Sequence, residues 1–213
     1  MQNVNPEIIL YIQENIFPRY RGVDAAHDLT HIEQVIENAL EIAADHDVDH
    51  NMVYTIAAYH DVGISQGRKT HHLTSAAILR EDGALRAWFS PEEIEIMVEA
   101  VEDHRASSEA PPRSLYGCII AEADRDLRPE TILQRTWLYG LRHEPTFTRE
   151  QQFDRLYGHL QEKYMEGGYL KLWLHTRKNM EGLARLRDMA SDRDSLKTYV
   201  LSQADSWETA LHG

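Results

Sequence analysis

The 213-residue chain carries twelve histidines, and imidazole is the side chain best suited to bind metals and move protons near neutral pH. Four places set imidazole and carboxylate in a pattern that could do chemistry: His31, the His60-Asp61 pair, His104 and Asp124. Imidazole nitrogen together with carboxylate oxygen suits a first-row divalent ion such as Mn²⁺, Fe²⁺, Co²⁺ or Zn²⁺. Adjacent residues on a helix diverge by about 100°, so a His-Asp pair straddles one ion only where a helix turns its edge to the site. His27-Asp28, His46-Asp47 and His60-Asp61 all have that form. Spacing alone does not choose among them.

The elements that must position these groups read as helices. Ile32, Val35, Ile36, Ala39, Leu40 and Ala43 recur at the spacing of one buried helical face, and Val53, Ile56, Ala57 and His60 repeat it. Ser90-Pro91-Glu92-Glu93 joins an N-cap serine, a first-turn proline and a capping-box glutamate, and Thr148-Arg149-Glu150-Gln151 forms a second box. No stretch alternates at period two, and no tight-turn dipeptide joins β-branched runs. Breakers at Gly63 to Gly67, Pro111-Pro112, Pro129, Pro145 and Gly167-Gly168 separate eight to ten helices. Their expected starts are Pro6, Asp28, Asn51, His72, Pro91, Ser114, Pro129, Arg149, Gly168 and Asp192. The expectation is a single all-α domain over 1–213, with about 142–213 a helical extension.

Composition narrows the function. With 42% hydrophobic, 27% charged and 8% aromatic residues, the chain is neither disordered nor fibrous. No run approaches the ~18 apolar residues of a membrane span, and Met1 to Pro18 lacks the pattern of a signal peptide. A single cysteine, Cys118, forms no internal disulfide, which fits the cytoplasm. The balance of 22 basic against 35 acidic residues, −13 net, repels phosphate backbones and argues against a nucleic acid polymer as partner. A small phosphorylated substrate stays compatible with it, because a site's local field can oppose the global one.

Three segments carry a resemblance. Ala26-His27-Asp28-Leu29-Thr30-His31-Ile32-Glu33-Gln34-Val35 is similar to the opening motif of the HD-domain metal-dependent phosphohydrolase superfamily, which sets an aspartate three residues before the first metal histidine. Ala57-Ala58-Tyr59-His60-Asp61-Val62-Gly63 resembles its signature, where a small-residue helix ends in His-Asp and a glycine follows. Ala121-Glu122-Ala123-Asp124-Arg125-Asp126-Leu127 resembles its final motif. The three span about 24–128 in order.

The resemblance implies an HD-type helical bundle with a five-helix core and metal ligation by His31, His60, Asp61 and Asp124. Asp28 would then orient His31, and His46-Asp47 would be a solvated helix end. Thr70-His71-His72-Leu73-Thr74-Ser75-Ala76 and Glu102-Asp103-His104-Arg105 resemble places where some members add histidines for a second metal. His71, His72 and His104 are therefore further metal candidates. Of the adjacent pair, His71 is favoured, because Ser75 falls one turn later on the same face and admits a close neighbour. Two departures stand out: Gln34 and Ile64 occupy positions where relatives often carry a basic residue. A phosphate clamp would come from Arg68, Lys69, Arg105 or Arg125.

The function implied is hydrolysis of a nucleotide or other small phosphorylated metabolite through a metal-activated water, with Asp61, His104 and Arg105 at the chemistry. One or two ions of Mn, Fe, Co, Ni or Zn would serve. A homodimer stays open, as do two alternatives: a non-catalytic metal- or nucleotide-binding regulator, and a di-iron oxygenase on a similar scaffold. His143, His159, His175 and His212 read as surface or boundary residues. Cys118 and the aromatic residues Trp137, Tyr139, Tyr164, Tyr169 and Trp173 read as core.

Overall fold

The structure is a computed structural model and describes residues 3–22, 29–108 and 110–209. The chain divides into two compact units: Met1–Arg125 with Leu172–Leu174, and Asp126–Lys171 with His175–Gly213. Every regular element among the described residues is a helix, with no strand.

In the first unit the organising element is α3 (His50–Tyr59), in which every residue from Met52 to Tyr59 is buried. A helix apolar on all sides has no solvent face to present, so its neighbours surround it. These are α1 (Pro6–Asn15), α2 (Leu29–Ala43), α4 (His71–Glu81), α5 (Pro91–Asp103) and α6 (Leu115–Ala123), all of which touch α3. Helices α2 to α6 form the five-helix bundle. Because α3 runs through its middle, the residues that end α3 emerge inside the protein.

Small residues and caps set the spacing there. The turn after α3 lies directly on α4: the Gly63 N–H donates to Ser75 Oγ at 2.9 Å. A Cβ on Gly63 would stand 2.7 Å from the Ser75 backbone nitrogen and 2.8 Å from Thr74 Cβ. The Tyr20 hydroxyl donates to the Ala58 carbonyl at 2.8 Å, holding the last turn of α3 from the other side. Tyr11 and Tyr59 both donate to Asp82 Oδ2, at 2.6 and 2.5 Å, while Asp82 Oδ1 accepts from the Ala84 N–H at 3.1 Å. One carboxylate thus fastens α1, α3 and the end of α4. Helix α5 opens on the Ser90–Glu93 capping box read from the sequence. Buried Glu122 accepts the Trp173 and Leu174 N–H groups at 3.0 and 3.3 Å, which ties 172–174 into this unit.

The second unit packs α7 (Pro129–His143), α8 (Arg149–Lys163), α9 (Arg177–Ser191) and α10 (Arg193–Thr209) around Trp137, Phe153, Leu160, Leu186 and Val200. Helix α8 opens on the Thr148–Gln151 capping box. Two sequence expectations are corrected here. No helix starts at Gly168: Gly167 has φ +80°, and Tyr169 and Leu170 fold back to donate to the carbonyls of Glu162 and Lys163. The helix begins instead at Arg177. Trp137 and Tyr164 are core, but Tyr139 and Tyr169 are 50% and 43% exposed, with Tyr139 stacked on His143. Cys118 and Trp173 are half-buried. The other helix starts fall within a residue of expectation, save that at Asp28, which lies outside the described residues, as does His212.

Candidate metal centre

Three of the sequence candidates close a helix. His60 is the C-cap of α3, His104 of α5 and Asp124 of α6. Residues at a helix end can turn their side chains across the axis, and this resolves the geometric problem of the adjacent His60-Asp61 pair. His31 sits in the first turn of α2 and His71 opens α4. The five helices of the bundle therefore each bring one end, or the residue beside it, to the same interior point.

There the donor atoms form two groups, each with atoms within 4.8 Å of one another: His31, His60 and Asp124, and Asp61, His71 and His104. Asp61 faces both. Its Oδ2 lies 3.4 Å from His60 Nε2 and 3.9 Å from His31 Nε2, while Oδ1 lies 3.1 Å from His71 Nε2 and 3.5 Å from His104 Nε2. Asp124 Oδ1 is 3.2 Å from His31 Nε2 and 3.8 Å from His60 Nε2. His60, Asp61 and His104 are 0%, 3% and 2% exposed.

The histidine rings are oriented by their other nitrogen. His60, His71 and His104 each set Nδ1 against the carbonyl three residues earlier, on Ala57, Arg68 and Val101, at 2.8, 2.8 and 2.6 Å. A carbonyl only accepts, so Nδ1 carries the proton and the Nε2 of a neutral ring presents a lone pair. The Nε2 atoms of His71 and His104 stand 3.0 Å apart. His60 Nε2 and Asp61 Oδ1 are buried without a hydrogen-bond partner. Lone pairs that face one another and two carboxylates require positive charge between them. Nitrogen and oxygen donors in this number fit a divalent transition ion.

Without metal, protons take that place. Burial lowers the pKa of His60, but the Asp61 and Asp124 carboxylates outweigh it and push the group up to about 9. Burial likewise lowers His71, and Asp61 reverses the sign, leaving it raised. Burial would raise Asp61 and Asp124; the surrounding imidazoles, and Arg125 for Asp124, hold both well below the usual carboxylate range.

His72 stands outside both groups. It is adjacent to His71 and diverges from it, the two ring centroids lying 5.7 Å apart. Its pKa is lowered by burial and by neighbouring His104, Arg105 and His71. Arg105 reaches the Lys69 carbonyl at 3.0 Å, beside the N-terminus of α4, and Arg68 and Lys69 are exposed there. Arg125 is corrected as a phosphate clamp: it is 7% exposed and its guanidinium contacts Asp124 and the His104 carbonyl. His46-Asp47 follows the end of α2, with Asp47 exposed. Asp28, expected to orient His31, lies outside the described residues. Sequence reasoning did not single out Tyr20, Asp82 or Glu122, because a hydroxyl or carboxylate that braces a helix end has no spacing signature.

The HD-domain family model matches residues 28–128. The chain is also similar to the crystal structure of a predicted HD superfamily hydrolase from an uncultured Thermotogales bacterium, at 26% identity and a TM-score of 0.51, covering 76% of this chain and 91% of that one. No curated protein matches the chain significantly. The matched span contains His31, His60-Asp61 and Asp124 on the helices that bring them together, and the chain is an HD-domain protein.

Proposed function

We propose that the chain is a metal-dependent phosphohydrolase acting on a nucleotide or another small phosphorylated metabolite. The observation that carries this reading is the convergence of two His/Asp donor groups on one buried dipeptide, His60-Asp61. The similar crystal structure is that of a predicted HD superfamily hydrolase, which supports hydrolysis here. His31, His60 and Asp124 would hold one ion, and Asp61, His71 and His104 a second, with Asp61 facing both. Such ions lower the pKa of water toward neutrality and offset negative charge on a phosphoryl oxygen. Mn, Fe, Co, Ni and Zn fit the mixed nitrogen and oxygen donors, whereas Ca²⁺ prefers oxygen alone.

The rest of the task falls to the chain's own groups. The Nδ1 bonds of His60, His71 and His104 keep each Nε2 aimed inward. All of the net charge resides in the first unit, which has nine basic against 22 acidic residues, while the second is balanced at 13 of each. A phosphorylated substrate therefore needs local cations, and Arg105, Arg68 and Lys69 supply them beside the α4 N-terminus. A guanidinium suits bidentate contact with phosphate. A small substrate fits this pattern better than a polyanion, which the acidic surface of the whole unit repels. Among the described residues no helix is long and apolar enough to cross a membrane, and a single cysteine fits a reducing compartment such as the cytoplasm.

The test is phosphate release by chelator-stripped protein from a panel of nucleotides and sugar phosphates, without and with added Mn²⁺ or Co²⁺, under air and under argon. Metal-dependent release that ignores oxygen supports the reading. No release from any member with metal bound contradicts it, and turnover that requires oxygen points to oxidative chemistry.

A further inference from the structure

The guanidinium of Arg125 is buried against the candidate donor Asp124. Its Nη1 donates to Asp124 Oδ2 at 3.1 Å, and its Nη2 donates to the His104 carbonyl at 3.2 Å. The two acceptors belong to the ends of different helices, since Asp124 caps α6 and His104 caps α5. The carbonyl that closes a helix lacks an intrahelical partner and carries the negative end of the dipole, so a cation is well placed there. The Asp124 carboxylate is thereby divided: Oδ2 is held by Arg125 while Oδ1 is left facing His31 at 3.2 Å.

We infer that Arg125 is a positioning residue for the metal centre, aiming Asp124 Oδ1 into the first donor group while fixing the helix end that carries His104 in the second. The inference rests on the metal reading above. A bare positive charge this close to a divalent ion would repel it, so a role through charge alone and a role through positioning predict opposite signs. Removing a repelling charge tightens metal binding. Removing the group that orients a ligand weakens it, by about 10- to 100-fold where such outer contacts are lost.

The experiment measures Mn²⁺ and Co²⁺ affinity by calorimetry on chelator-stripped full chain, for wild type, Arg125→Gln and Arg125→Lys, with thermal melting of the stripped proteins as the control for folding. Arg125→Gln should bind metal about 10- to 100-fold more weakly. Arg125→Lys keeps the charge but loses the planar fork that reaches both acceptors, so it should also weaken binding, and it decides the matter should the glutamine variant fail to fold. In an Asp124→Ala background, Arg125→Gln should have little further effect at the first site, because the residue acts through Asp124. A wild type that binds metal, with variants that bind as tightly or more tightly, overturns the inference alone. A wild type that takes up no metal overturns the metal reading with it.

Discussion

A single methyl group at Gly63 should disturb both the fold and the centre. Gly63 has φ −89°, which alanine adopts without strain, so the effect of Gly63→Ala is purely one of space. The new Cβ would lie 2.7 Å from the Ser75 nitrogen and 3.0 Å from the Thr74 carbonyl carbon. These are backbone atoms of α4, so the helix itself must retreat, by on the order of 0.7 Å to restore ordinary contact. Overpacking of this kind costs about 1–3 kcal/mol. The retreat carries His71, one turn before Ser75, away from Asp61 Oδ1 and His104 Nε2, now 3.1 and 3.0 Å distant. Urea denaturation of the stripped protein reads the first effect, and metal content per chain reads the second. The expected result is a loss of about 2 kcal/mol, with the Asp61–His71–His104 group losing its ion first. The control is Gly158→Ala in α8, where a Cβ meets nothing within 4 Å and helix propensity should stabilise by up to ~1 kcal/mol. If Gly63→Ala were as stable as wild type with unchanged metal content, the close-packing argument would be refuted.

His60→Ala, Asp61→Ala and Asp124→Ala should each lower metal-dependent turnover by at least ~100-fold, while Asp47→Ala, on an exposed residue after α2, should leave it unchanged; steady-state kinetics with the best substrate of the panel decides. The chelated and metal-loaded proteins should respond oppositely to alkali. In the chelated protein His60 is pushed up to about 9 against ~6.5 unfolded, so its contribution is complete below 6.5 and lost as the pH rises through 9. Metal binding must expel that proton, so affinity should climb over the same range; denaturation and calorimetry at pH 6.5, 8 and 9.5 would reveal a parallel trend if this is wrong. Glu122→Ala should cost about 2 kcal/mol by leaving the Trp173 and Leu174 N–H groups without their acceptor, and should expose 172–174 to limited proteolysis.

The helices were legible in the sequence because each leaves a periodic or local mark, and the candidate metal donors because three motifs resemble those of the HD-domain superfamily, where spacing alone left three His-Asp pairs open. The α2 stripe, the Ser90 and Thr148 boxes and the small-residue run before His60-Asp61 all translate directly into elements. That His71 and not His72 falls in a donor group was approachable from the sequence: Ser75 lies on the face that meets Gly63. What was not legible depends on partners far apart in the chain. The Tyr11–Tyr59–Asp82 network, the Glu122 anchor and the turn of Arg125 toward the His104 carbonyl join residues 21 to 71 positions apart, where no periodicity applies. The expected helix at Gly168 failed because a glycine pair can open a helix or reverse a chain, and only the backbone donors of Tyr169 and Leu170 show which.

The central claim is that His60-Asp61 is shared between two groups of metal donors. Elemental analysis of protein purified without chelator, wild type beside Asp61→Ala and His104→Ala, tests it most directly. The account predicts about two first-row ions per wild-type chain, about one in His104→Ala, and fewer in Asp61→Ala than in His104→Ala, because Asp61 faces both groups. A wild-type chain holding only trace metal, and taking up none from excess Mn²⁺ or Co²⁺, would contradict it.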